Sequence, residues 1–231
     1  MKSLLMNAVA SAIAIGTLSS CGGLGFASNS DTPRLLTKAQ ARSGFSWART
    51  SNSFLPAKVD LAVKASTSAL PKDKHGRPTY NSDRVRHRVV RTTSYSHQEG
   101  EVGAPGRLNA IGSTLKYGQV RSAAADWSRY PVGTTFKIKG LPHRYVIDDF
   151  GSSLAGTNTI DIYHPTLGLM RRWATRDVEI NIIKWGSLER AANLLRTRTK
   201  YRHCAQMYYA AMRKLNSSRV VQTRRGATPT L

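Results

Sequence analysis

Asp126, Asp149 and Asp161 stand out in a chain with thirteen acidic residues against thirty-five lysines and arginines. Each ends or follows a short apolar run: Ser122-Ala-Ala-Ala-Asp126-Trp127, Tyr145-Val-Ile-Asp-Asp149-Phe-Gly151 and Thr159-Ile-Asp161-Ile-Tyr163. A sheet fixes the direction of a carboxylate at a strand end while the adjoining loop leaves room for a substrate, so the pattern suits acid/base work or binding. Taken singly, each aspartate also fits a solvated turn. The second motif carries Asp148 beside Asp149, and either can fill the functional position.

Other chemistries lack their residues. His97, His143 and His164 are scattered, with no His-Glu-x-x-His and no close Cys/His pair, so no metal and no cofactor are expected. There is no Gly-x-Ser-x-Gly elbow and no glycine-rich phosphate loop. Cys204 reads as a small helix-face residue without an activating setting.

The elements that would carry the aspartates are short strands separated by Gly and Pro turns. Candidates are residues 89–96, 120–125, 134–139, 144–148, 159–163 and 178–184. Six such strands in about a hundred residues point to a small closed or nearly closed barrel filled by its own side chains. Residues 187–215 follow as one or more helices begun at Ser187, and a disordered tail is expected from Asn216 to residue 231. Residues 22–88 are rich in Ser, Thr, Ala, Lys and Arg, and are broken by Pro33, Pro56, Pro71 and Pro78. They read as a basic linker of low order, with short helices possible at 34–47 and 59–70. The alternating Val and Arg of residues 84–91 suit an edge strand and a binding patch equally.

The N-terminus has a charged start, Met1-Lys2-Ser3, and an apolar stretch from Leu4 to Leu18, too short to span a bilayer unaided. It reads as an export signal. Leu18-Ser19-Ser20-Cys21 resembles the bacterial lipobox, which implies cleavage before Cys21 and acylation of its thiol and amine. The alternative is an ordinary secretory signal cut after Gly25-Phe26-Ala27. A lipidated Cys21 would leave Cys204 without a disulfide partner. The formal net charge of +22 calls for anionic surroundings. Export argues against nucleic acid and leaves envelope polymers and lipid.

Taken together, the three aspartate motifs, with Thr93-Ser-Tyr95-Ser96, Tyr130-Pro-Val-Gly-Thr134, Gly156, Trp173 and Val178-Glu-Ile-Asn-Ile, closely resemble the three-aspartate (3D) domain. The resemblance spans about residues 92–186. It implies a six-stranded double-psi β-barrel over residues 89–186, mainly β, similar to the catalytic core of membrane-bound lytic transglycosylases and stationary-phase survival proteins. That activity cleaves peptidoglycan between N-acetylmuramic acid and N-acetylglucosamine and releases a 1,6-anhydro sugar. By the same resemblance Asp161 is the acid/base, with Asp149 and Asp126 in one groove. Thr93, Tyr95, Ser96, Asp148 and Gly151 are expected to contact substrate. Trp127 and Trp173 fit either sugar stacking or packing. Residues 99–106 depart from the family, whose members carry a Thr- and Lys-bearing loop there. The implied setting is the cell envelope, anchored through Cys21 at the periplasmic face of the outer membrane, with glycan strands as partner. A barrel that grips glycan without cleaving it is the alternative.

Overall fold

A computed structural model describes residues 54–100 and 106–226, with residues 219–226 described by their backbone. The expected signal, Cys21 and the linker up to residue 53 lie outside the described residues. Six strands form a closed barrel: β1 (His87–Tyr95), β2 (Val120–Ala125), β3 (Thr135–Ile138), β4 (Arg144–Asp149), β5 (Ile160–Tyr163) and β6 (Arg176–Lys184). They fall where alternating apolar residues and intervening turns put them, to within two residues.

The order around the barrel is β1-β5-β2-β4-β3-β6. β1 pairs parallel with β5 and β2 with β4, and the other four pairings are antiparallel. Exchanging β1, β2 and β3 with β4, β5 and β6 reproduces this order and every strand direction. The two halves are therefore related by a pseudo-two-fold axis through the β2/β5 pair, a repeat that their side chains do not betray.

Alternate residues of the strands fill the interior, as the two-residue period of a strand requires. Ala123 and Ala125 leave space for Phe136 and Tyr145, whose rings stack at 5.3 Å, and Ile160, Ile162, Val178, Ile180 and Ile182 complete the packing. Trp127 and Trp173 are both 0 % exposed, so they are core residues and offer no sugar platform.

The linker does not run to residue 88. From Ala57, whose N–H donates to the Lys139 carbonyl at 3.0 Å, the described chain is an arm bound to the barrel. Helix α1 (Leu61–Ser66) is capped by Asp60, whose own N–H donates to Glu179. Asp73 accepts from the N–H groups of His75, Arg77 and, across the fold, Asn158. Arg88 is buried against the rings of Tyr80, Tyr130 and Trp185, and donates to the carbonyls of Ser82 and Val85. The arm is held by polar groups, which is why it shows no apolar period. β1 is paired on both sides, so the basic run at 84–91 leads into a central strand.

Helix α2 (Leu167–Trp173), capped by Thr166, was not expected from the sequence; it delivers Trp173 to the core. The C-terminal segment is two helices, α3 (Leu188–Arg196) and α4 (Arg202–Gly226). Ala191, Leu195, Cys204, Met207 and Ala211 are buried, the first four in the barrel's own core cluster. α4 runs ten residues past Asn216, where a disordered tail was expected. Among the described residues no helix is long and apolar enough to cross a membrane.

Candidate active site

The register assembles the site. On β2, Ala124 lies level with Asp149 of β4 on one side and Asp161 of β5 on the other; Asp161 is in turn level with Thr93 of β1. Laterally paired residues share a face. Asp149, Ala124, Asp161 and Thr93 thus form one row across four strands, centred on the pseudo-two-fold axis. Ala124, itself buried, places only a methyl group between the two carboxylates.

A β-bulge decides which aspartate of the Asp148-Asp149 pair joins the row. Ala123 pairs with Ile147, but Ala124 pairs with Asp149, so Asp148 is skipped. An unbroken ladder would put Asp148 there instead. Asp148 is buried, where it accepts from Lys116 Nζ at 2.7 Å and Ser122 Oγ at 2.9 Å. Its carboxylate lies beneath the surface, covered by the half-exposed Lys116 that pairs with it, and offers no substrate contact.

The two row carboxylates differ in their partners. Asp149 Oδ1 accepts from the N–H groups of Ala110 (3.0 Å) and Phe150 (2.9 Å), and Oδ2 from the Tyr95 hydroxyl (3.1 Å). Asp161 accepts a single bond among the described residues, from Thr93 Oγ1 to Oδ1 at 2.7 Å. Its second oxygen has no such partner and is available to carry a proton.

Burial pushes both carboxyls up to about 6. For Asp161 the Thr93 hydrogen bond opposes the shift, and the charges of Glu99 and then Asp149 add to it. The repulsion from Asp149 is a minor part, because desolvation acts on the whole charge while Ala124's strand stands between the two carboxylates. For Asp149 the three donors oppose the shift and Asp148 adds to it. Asp149 in turn helps burial to raise the Tyr95 phenol far above its ordinary value, so Tyr95 stays a neutral donor.

Asp149 and Tyr95 open into a cleft of about 650 Å³, bounded by the loop at residues 106–112 and by the C-terminal helices. That size lies within the range of small-ligand sites. Ser96 also lines it, but its hydroxyl is committed to capping the turn His97–Glu99. Gly151 is not among the residues lining it.

Asp126 is not in this groove. It is 1 % exposed and accepts from the Ser128 N–H and hydroxyl and from the Gly156 N–H. It fixes the turn after β2, and lies beside a separate cleft of about 820 Å³ with Arg129, Arg213 and Lys214. A strand-end position says where a side chain starts; turn donors decide where it points.

Sequence reasoning missed Glu99, the Ala110 N–H and the Lys116 partner of Asp148. Only Glu99 left a trace, as the acid of a Ser96-x-x-Glu99 capping box. Among the described residues, no three His, Cys, Asp or Glu side chains converge on a point that could hold a metal. No protein-family model matches the chain, and no curated protein matches its sequence. What stands is a closed, mixed six-stranded barrel with C-terminal helices and two partly buried carboxyls on one row, of which Asp149 lines the cleft while Asp161 and Thr93 are not among its described lining residues.

Proposed function

We propose that the protein is a peptidoglycan lytic transglycosylase, in which Asp161 serves as both acid and base. The observation that carries this reading is the Asp149-Ala124-Asp161-Thr93 row, with both carboxyls raised to about 6. An aspartate near 3.8 is protonated in fewer than about one molecule in a thousand at pH 7; one near 6 is protonated in about one in ten. That difference of roughly a hundredfold is what a general acid needs.

The protonated Asp161 donates to the glycosidic oxygen as the bond to the muramic anomeric carbon breaks. The resulting carboxylate takes the proton of the C6 hydroxyl while that oxygen attacks the anomeric carbon, which closes the 1,6-anhydro ring and restores the acid. No water enters. Asp149, held by three donors, supplies negative charge toward the oxocarbenium-like state, and Tyr95 keeps its Oδ2 in place.

The barrel is of the double-psi type in this reading, which its exchange symmetry and its two parallel pairs support. The chain is exported by its first 21 residues and anchored through a lipid on Cys21 at the periplasmic face of the outer membrane, where glycan strands are its partner. Mass spectrometry of purified sacculi incubated with the protein tests the activity. Anhydromuropeptides are expected. Sugars with a reducing end would make the enzyme a hydrolase, and binding without any product would make it a glycan-binding envelope lipoprotein.

A further inference from the structure

The cleft is electrically polarised. Among its described lining residues Asp149 is the one acid, at the barrel end, and Arg198 the one Lys or Arg, at the helical end. Arg198 sits in the connection between α3 and α4, with its guanidinium 5.7 Å from the centre of the Phe150 ring. Phe150 follows Asp149 directly. Its ring is braced edge-on by Trp127 at 4.9 Å, while the Trp127 indole donates to the Asp149 carbonyl at 2.9 Å. Asp149 and Arg198 are therefore set by one rigid stack, not by two independent loops.

The helical wall cannot swing freely. Leu195, three residues before Arg198, and Cys204 and Met207 after it, are buried in the barrel core. Between them, Tyr201 is 51 % exposed at the cleft, with its ring stacked on His203 at 6.1 Å and 29°. Among the described residues the Arg198 guanidinium pairs with no carboxylate. An arginine fixed over an aromatic face has its planar fork of donors pre-oriented, a form that suits a carboxylate better than it suits a neutral sugar.

Resting on the glycan-cleaving reading of the same cleft, we propose that Arg198 and Tyr201 form a subsite for a carboxylate of the stem peptide carried by the glycan. The uncharged scissile bond then lies at the Asp149 end and the peptide's carboxylate at the Arg198 end. This subsite makes the protein selective for peptide-bearing strands over bare ones, and it belongs to the C-terminal helices, outside the barrel.

The test measures binding in the full chain carrying Asp161→Asn, so that turnover does not consume the ligand. Isothermal titration compares soluble glycan strands that retain their stem peptides with the same strands stripped by an amidase and then amidated at the lactyl carboxyl that the amidase frees, so that the stripped strands carry no carboxylate. Peptide-bearing strands are expected to bind about tenfold more tightly, the size of one charge-assisted pair. Adding Arg198→Ala abolishes that preference and leaves the affinity for stripped strands within about twofold. Arg198→Lys, which keeps the charge and loses the fork, restores part of it. Equal affinity for both strands, including none for either, overturns the proposal, as does an Arg198→Ala loss that is equal on both. The cleavage reading fails on different evidence, the absence of anhydro products from the unaltered chain.

Discussion

Two carboxyls raised to about 6 oppose folding at neutral pH. Between about 3.8 and 6 the folded state keeps a proton that the unfolded chain releases, so each group's penalty is absent below about pH 4 and grows as pH rises through 6. Above that it reaches about 1 to 3 kcal/mol per group. Asp161→Asn keeps the shape and the acceptor for Thr93, and removes the charge. It is expected to raise the melting temperature at pH 7 by several degrees and to leave it unchanged at pH 4, as read by calorimetry. A lower melting temperature at pH 7 would contradict the assignment of burial as the cause. Thr93→Val removes the bond that favours the ionised form, so the pH above which activity declines should move up by about one unit. A shift downward would show that Asp161 is not the titrating acid. Thr93, Tyr95, Asp149 and Asp161 were legible through the resemblance of the motifs that hold them, and it is the register of the paired strands that puts Thr93, Asp149 and Asp161 in one row. The burial of Asp161 was not legible, since it comes from elements distant in sequence.

The bulge at Asp148, the small Ala124 and the arm on Glu179 act at the level of elements. Glu179 is buried in β6, where it accepts from Lys139 Nζ at 2.7 Å and the Asp60 N–H at 3.0 Å, and bonds the His87 ring at 2.9 Å. Despite burial these partners, Lys139 foremost, hold its carboxyl below the usual range. Its contribution is present above about pH 4.5 and is lost as pH falls through the lowered folded value, opposite in sign to that of Asp161. Glu179→Gln should cost about 3 kcal/mol at pH 7 and less at pH 3, measured by urea unfolding. An equal cost at both would mean that shape, not charge, holds the arm. Gly186 is a second fixed point, because a Cβ there would overlap the carbonyls of Pro131 and Val132. Gly186→Ala should leave the chain largely unfolded by circular dichroism, whereas a native melting curve would show that the β6 end can shift. The strands were readable from alternation and turns. Helix α2 and the break at residues 197–201 were not, because one short capped turn and one loop leave no periodic trace.

At the scale of the whole molecule the barrel and the two C-terminal helices share one core, the arm is bound to it by polar groups, and the carboxylate row is centred on the pseudo-two-fold axis. Closure followed from strand count and spacing, but the strand order did not, since parallel pairs join segments far apart in the chain. The arm follows its own logic: it docks through Asp73, Tyr80 and Arg88, residues that read as linker in a basic, proline-broken segment. A chain starting at residue 89 lacks the Arg88 stack and the Asp73 bonds to the 158 turn, and should fail to give a cooperative melt. A native melt from that chain would restore the linker view. The central claim is that Asp161 shuttles the proton and Asp149 only supports it. The direct measurement is the yield of anhydromuropeptides from purified sacculi for the unaltered chain, Asp161→Asn and Asp149→Asn at pH 6. Asp161→Asn should lose at least about a thousandfold and Asp149→Asn about ten- to a hundredfold. Near-normal yield from Asp161→Asn with none from Asp149→Asn would contradict the account.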